Sequence, residues 1–352
     1  MAACFRVIDG GLDLAVMQAF PGSTVAWHCE FDKAPSAILS HHYPNIPNLG
    51  DVTKVDWEKV EPVDIITGGS PCQDLSTAGK RAGMTDGTRS NLWVNMREAI
   101  AIIKPRLVVW ENVQGALSAE AYSSSDMEPG QGFLGGGGGH LRALGRVLGD
   151  LAEIGYDARW ATLRASEVGA PHHRARVFLI AYPADTGCIG LQAARWGGGH
   201  GAEVAGAVGG TGALPELKHL PTPTTMDHLP AREGEAREKK LRRRYINESC
   251  RTSMGNLRED VIHPGDGGIY GRYEPVVRRW EQATGTTAPN PTELNRNGKP
   301  QLNIEFASWM MGLPKGWVTG VPGLSRAQQL KAIGNGVVPQ QAAAALLLLK
   351  GI

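Results

Sequence analysis

The chain has 352 residues, with 36 Lys+Arg against 35 Asp+Glu and a formal net charge of +1. Bulk charge therefore singles out neither a nucleic-acid nor a membrane partner, and a polyanion would have to be met by local basic patches. The length suits one large α/β domain with a smaller companion. The opening MAACFRVIDGG has no charged segment leading into a long apolar run, so a signal peptide is not expected. No apolar run approaches the roughly 20 residues of a membrane span, which gives a cytoplasmic expectation with no membrane partner. Cys4, Cys29, Cys72, Cys188 and Cys250 are odd in number, widely spaced and form no CxxC pair. Neither a disulfide framework nor a structural metal is expected from them.

Taken in chain order, short apolar strands alternate with helical spacing as far as residue 183. The predicted strands are Phe5–Asp9, Thr24–Glu30, Val63–Gly68, Leu107–Glu111, Asp157–Leu163 and Arg176–Tyr182, and Asn91–Ile103 and Leu141–Ile154 carry helical spacing. This alternation predicts a mostly parallel sheet with helices on both faces and its ligands beyond the carboxyl ends of the strands. Residues 123–140 form a low-complexity insertion. From Pro183 to about Pro300 the alternation dissolves into Gly, Pro, Thr and Arg, and a final helix is predicted over Pro339–Lys350. The expected organisation is a catalytic domain at 1–183, an inserted region at 184–300 and a segment at 301–352 that returns to the first domain. Residues 218–300 hold 15 Lys+Arg against 11 Asp+Glu, a net of +4, with clusters KKLRRRY at 239–245 and RRW at 278–280. Alone, such clusters read most simply as solvated helix faces.

Cys72 sits in the glycine-rich loop TGGSPCQDLSTAGKRAG, just past a predicted strand end. A free cysteine is most often a small buried hydrophobe. Here Pro71 stiffens the loop, and backbone N–H groups of a following turn or helix would favour the thiolate. One chemistry that needs a thiolate beside a nucleotide-type fold is pyrimidine activation. Addition of the sulfur to C6 of cytosine makes an enamine whose C5 can attack an electrophilic methyl group. The ring must then be held, and its N3 protonated, by a carboxylic acid. Glu111, in VVWENV at a neighbouring strand end, has that position.

These residues resemble the DNA cytosine-5 methyltransferase family, especially its compact bacterial and phage members, over most of residues 10–183 and 302–348. The resemblance implies a Rossmann-like S-adenosylmethionine-dependent methyltransferase fold with a small inserted target-recognition domain. It implies S-adenosylmethionine as cofactor, double-stranded DNA as partner and a monomer in the bacterial or, for a phage protein, host cytoplasm. GGSPCQ resembles the nucleophile loop, which implies Cys72 as nucleophile, Pro71 ordering it, and Gly69 and Pro71 beside the cofactor. WENV resembles the motif whose acid is Glu111. GAPHHRARVFLIA resembles the motif whose Arg174 and Arg176 contact the target nucleotide and the strand around it. On the cofactor side, Gly10 and Gly11 match the first motif. Glu30 would take the ribose hydroxyls, Phe31 would pack on the adenine, and Asp51, with Val52 beside it, would take the adenine amine. Leu92 would line the site, and Asn335 and Val337 in AIGNGVVPQQ would approach the methionine end.

Two features depart from the family pattern. His172-His173 stands where the family has Gln-Arg or similar. In the first motif the family's Asp-hydrophobic-Phe-x-Gly-x-Gly-Gly is not present. Either the loop after Asp9 is shortened, or Arg6, Val7 and Ile8 replace the Phe-x-Gly segment; both alternatives predict weakened cofactor binding. A DNA-binding relic of the same fold is therefore one alternative. A tRNA cytosine methyltransferase is another, although no cysteine here is followed by the Phe-Thr of that branch.

Overall fold

The computed structural model describes residues 2–5, 10–69, 92–118, 120–121, 141–184, 219–225, 227, 257–262 and 268–351. In the large domain the elements are β1 (Ala2–Phe5), α1 (Gly11–Ala19), β2 (Val25–Cys29), α2 (Lys33–His42), β3 (Ile65–Gly68), α3 (Trp93–Ile103) and β4 (Leu107–Val113). They continue through β5 (Glu120–Ala121), β6 (Leu141–Arg142), α4 (Ala143–Glu153), β7 (Tyr156–Arg164) and β8 (Ala175–Pro183). Six of these strands form one sheet in the order β2-β1-β3-β4-β8-β7.

The first four strands are parallel, but β8 runs antiparallel to both β4 and β7. The mostly parallel expectation thus holds, since β8 alone runs against the other five strands. The reversal has a simple cause: only residues 165–174 join β7 to β8, too short a connection for a crossover. The first strand begins earlier than the predicted Phe5–Asp9, at Ala2, and Phe5 is level with Cys29 and Gly68, the last residues of β2 and β3. Residues 6–9 fall outside the described residues, as do 122–140 within the low-complexity insertion. The helix predicted from Leu141 begins at Ala143, because Leu141 and Arg142 pair with Ala121 and Glu120.

Successive strand residues point to opposite faces, and the burial follows that alternation. Ile66, Val108, Trp110, Val177 and Leu179 pack against α3 and α4. Ile65, Val109, Phe178 and Ile180 pack against α1 and the last helix, α9 (Pro339–Lys350). Each buried Val, Leu or Ile contributes about 1.5–3 kcal/mol, which explains why a sheet covered on both faces reads as continuous apolar runs. Pro339 opens α9 and left-handed Gly351 closes it.

A third buried cluster lies towards the C-terminus. It is built from α5 (Leu257–Ile262), α6 (Glu274–Thr284), the hairpin β9 (Thr292–Leu294) and β10 (Pro300–Leu302), α7 (Ile304–Met310) and α8 (Arg326–Asn335). Ile38, Ala165 and Ala170 of the large domain join it. The division expected at residue 300 falls inside β10, which pairs with β9 and places Leu302 in this cluster. RRW does not form a basic aromatic surface. Val276, Val277 and Trp280 are the buried stripe of α6, Arg278 pairs with Glu274 and Glu281, and Arg279 bonds the carbonyls of Gly169 and Ala170. KKLRRRY falls outside the described residues. Among the described residues one stretch, Arg326–Lys350, is apolar and long enough to cross a membrane. It is two helices separated by Gly336, Val337 and Val338, with most of its side chains packed in the core.

Candidate active site

Glu111 lies near the end of β4, on the same sheet face as Val109. Gly68 of β3 pairs with Trp110, which brings Gly69 beside Glu111. The approach is tight: a Cβ on Gly69 would stand 2.7 Å from the Glu111 carbonyl oxygen and 3.3 Å from its Oε2. Only glycine lets the chain leave β3 along this line. The loop that carries Pro71 and Cys72 therefore starts in contact with Glu111, although those two residues lie outside the described residues. On the other side, Arg176 of β8 pairs with Val113, and its Nε donates to Glu111 Oε1 at 2.9 Å. The two side chains are only 16% and 15% exposed. Burial raises the Glu111 carboxyl above the usual carboxylate range, while the guanidiniums of Arg176 and Arg174 pull it back down.

Arg174 takes a different position from its expected partner. It is 5% exposed, and its guanidinium donates to the carbonyls of Gly334, at 3.3 and 3.2 Å, and Gly336. Its backbone is left-handed, with φ 34, a conformation that costs a non-glycine residue about 1–2 kcal/mol. Gln341 of α9 holds that backbone, its Nε2 donating to the Arg174 and Leu163 carbonyls at 2.8 Å each. The expected arginine pair is thus split: Arg176 faces the acid, and Arg174 faces the backbone between α8 and α9. His172 explains part of the departure at 172–173. It is fully buried with Nε2 3.1 Å from the Met310 carbonyl. Burial and the nearby Arg174 push its pKa down to about 3, so it is a neutral ring donating to that carbonyl.

The cofactor candidates lie around the ends of β1 and β2. Gly10, with φ 76, caps α1, and Gly11 begins the helix. The Trp317 indole lies over Gly10, its Cζ2 3.2 Å from where a Cβ would stand. Trp317 stacks face to face on His42 at 3.7 Å, and His42 Nε2 is 2.7 Å from the Trp317 carbonyl. At the end of β2, Glu30 is 2% exposed while Phe31 is 71% exposed. Asn48 fixes Glu30: it accepts from the Glu30 N–H at 2.9 Å and donates to the Glu30 carbonyl at 3.0 Å. Glu30 Oε1 also accepts from the Asp32 N–H at 2.7 Å. Asp51 caps the turn that starts at Val52, accepting from the Thr53 N–H and hydroxyl, and these bonds hold its pKa below the usual range. Leu92 is half-buried just before α3. Asn335 ends α8 half-buried, and Val337 packs in the same cluster as Leu12 of α1.

Sequence patterns did not single out Asn48, Trp317 or Gln341. Asn48 and Gln341 act by bonding backbone atoms far away in the chain, which leaves no local periodic signal. Trp317 follows Lys315 and Gly316 in a turn, where an aromatic residue reads as ordinary packing.

An open sheet of five like-directed strands with one reversed strand beside its edge, covered by helices on both faces, is the Rossmann-like methyltransferase fold. A DNMT2 variant from Spodoptera frugiperda, known as a crystal structure, has the same fold at TM-score 0.54, with 15% identity over 99% of this chain and 98% of that one. The chain belongs to the C-5 cytosine-specific DNA methylase family, whose model matches residues 8–347. Among relatives, a DNA N-6-adenine-methyltransferase of Escherichia phage P1 is 29% identical over 216 residues, 51% of this chain. The type II methyltransferase M.NgoBV of Neisseria gonorrhoeae is 32% identical over 173 residues, 48% of this chain. The matched stretches span 28% and 38% of those two relatives.

Proposed function

We propose that the chain is a DNA cytosine-5 methyltransferase, with Cys72 as nucleophile and Glu111 as the acid that holds the base. The observation that carries this reading is the convergence at Glu111: a buried carboxyl, paired with Arg176, against which the SPCQ loop begins. The target cytosine leaves the duplex to reach this edge. The Cys72 thiolate adds to C6 while Glu111 supplies the proton to N3. C5 then accepts the methyl group that S-adenosylmethionine provides when bound. Loss of the C5 proton and elimination of the thiolate release 5-methylcytosine.

Arg176 orients Glu111, and Arg174 fixes the backbone between α8 and α9 on which Asn335 and Val337 sit. Gly10, Gly11, Glu30, Phe31, Asp51, Val52, Gly69, Pro71, Leu92, Asn335 and Val337 would hold the cofactor, and residues 184–300 would read double-stranded DNA, with the protein acting as a monomer. The name of the phage P1 relative refers to adenine N6. Transfer to an exocyclic amine needs no thiol, so Pro-Cys-Gln favours carbon chemistry here. Bisulfite sequencing of DNA from cells expressing the chain should show protected cytosines in one sequence context; uniform conversion would refute the reading.

A second reading is a relic with weakened cofactor binding, and its support is the sequence alone, which has no Phe-x-Gly segment before Gly10-Gly11. Trp317 over Gly10 supplies an aromatic surface at the same end. Phe31 separates the readings. Its exposed ring is suited to stack on adenine, and loss of such a stack weakens binding by about 1–3 kcal/mol. Phe31→Ala should weaken S-adenosylhomocysteine binding by that amount in calorimetry. A chain that binds no cofactor at all would favour the relic.

A further inference from the structure

Residues 47–49 run parallel to the end of β2. The His28 N–H donates to the Pro47 carbonyl at 2.9 Å, and the Leu49 N–H donates to the His28 carbonyl at 2.7 Å. One step further, a parallel ladder would bond the backbone of Glu30 to the next peptide units of that segment. There the chain turns away through Gly50, left-handed with φ 77. The side chain of Asn48 takes the place of the missing peptide. Its Oδ1 accepts from the Glu30 N–H at 2.9 Å, and its Nδ2 donates to the Glu30 carbonyl at 3.0 Å.

The same carboxamide also reaches forward. Oδ1 accepts from the Gly50 N–H at 3.1 Å, and Nδ2 donates to Ser36 Oγ of α2 at 3.3 Å. Two N–H donors at one end fix that end as the oxygen. Ser36 Oγ in turn donates to the Glu30 carbonyl at 2.9 Å, and Cys29 Sγ donates to the Gly50 carbonyl at 3.3 Å. One amide thus ties Glu30, at the end of β2, to the residue directly before Asp51. Asn48 is itself exposed, so core packing gives no reason for an asparagine here.

We propose that Asn48 is a positioning residue for the adenosine half of the cofactor, holding Glu30 and Asp51 in one register and thereby setting selectivity for the ribose 2′-hydroxyl. The inference rests on the methyltransferase reading, in which Glu30 takes the ribose hydroxyls and Asp51 the adenine amine. Glu30 Oε1 accepts from the Asp32 N–H at 2.7 Å, so the carboxylate is aimed by backbone that Asn48 holds. A site built to bond a hydroxyl rejects a ligand that lacks it, because its own polar group is then left unpaired. That rejection depends on a fixed carboxylate. Once the Glu30 backbone is released, the carboxylate can turn to water, and ligands with and without the hydroxyl bind alike.

The test is calorimetry of the full chain with two probes, S-adenosylhomocysteine and its 2′-deoxyribose analogue. The unaltered chain should prefer the hydroxyl-bearing ligand by about tenfold to a hundredfold, the range for a hydrogen bond to a charged group. Asn48→Ala should lose most of that preference while binding the deoxy analogue nearly as well as before. Asn48→Asp keeps an acceptor for both N–H groups but cannot donate to the Glu30 carbonyl, so it should lose the preference too. It keeps the test decisive if Asn48→Ala fails to fold. A preference that persists in either variant, or an equal loss of affinity for both ligands, would overturn the proposal. So would an unaltered chain that binds both ligands equally. An unaltered chain that binds neither overturns the methyltransferase reading as well, whereas bisulfite protection with an unchanged preference in the variants overturns the role of Asn48 alone.

Discussion

Glu111→Gln should lower the methylation rate by about a hundredfold to ten-thousandfold, the usual contribution of a positioned acid or base. The amide keeps the shape of the side chain and can still accept from Arg176, but it has no proton for N3. DNA binding should change little, which separates a chemical effect from a folding defect. The pH dependence follows from the surroundings of the carboxyl. Burial raises its pKa, so the acid form persists to higher pH than for an ordinary glutamate. The rate contribution from Glu111 should fall as pH rises through that raised value. Arg176→Ala removes the cation that opposes the shift, so the descending limb should move to still higher pH. A limb that stays in place, measured by single-turnover methylation across pH, would remove Glu111 from the proton transfer.

Cys72→Ser should abolish methylation and leave DNA affinity intact. An unperturbed thiol has a pKa of about 8.5, and a small fraction is thiolate at neutral pH. A serine hydroxyl ionises far less readily and cannot replace it. DNA with fluorine at C5 of cytosine gives the sharper result. Methyl transfer proceeds, but the fluorine cannot leave as a proton does, so sulfur and base stay joined. Mass spectrometry should find the adduct on Cys72. An adduct on another residue, or full activity in Cys72→Ser, would sink the mechanism.

The strands that flank the candidate site were legible in the sequence because they are buried on both faces and read as apolar runs. Leu107–Glu111 and Arg176–Tyr182 fall within the observed β4 and β8. The start of β1 was missed because Ala2-Ala3-Cys4 looks less strand-like than Val7 and Ile8, while pairing on both sides places a strand at those earlier residues. The proximity of Glu111 and Arg176 was foreshadowed only by family motifs, since cross-strand register has no mark in a single strand. Arg174's different position was hidden for a similar reason: its partners are backbone carbonyls more than a hundred residues away. Trp280 was misread because two arginines precede it. The spacing of Val276, Val277 and Trp280 is the signal of an apolar helix stripe.

The reversal of β8 fixes a minimum length for the chain that follows it. β8 begins at the edge where Glu111 and Arg176 meet and finishes, nine residues later, at the opposite edge. At about 3.3 Å per residue the strand covers roughly 30 Å. Leu220 nevertheless pairs with His172, back at the first edge. Ala184 and His219 therefore stand about one sheet height apart, a distance that takes at least about nine fully extended residues to span. Deletions within 185–218 that leave fewer than this would pull Leu220 away from Pro171 whatever their sequence. Any length above that minimum is free of this geometric demand and open to insertion, deletion or exchange.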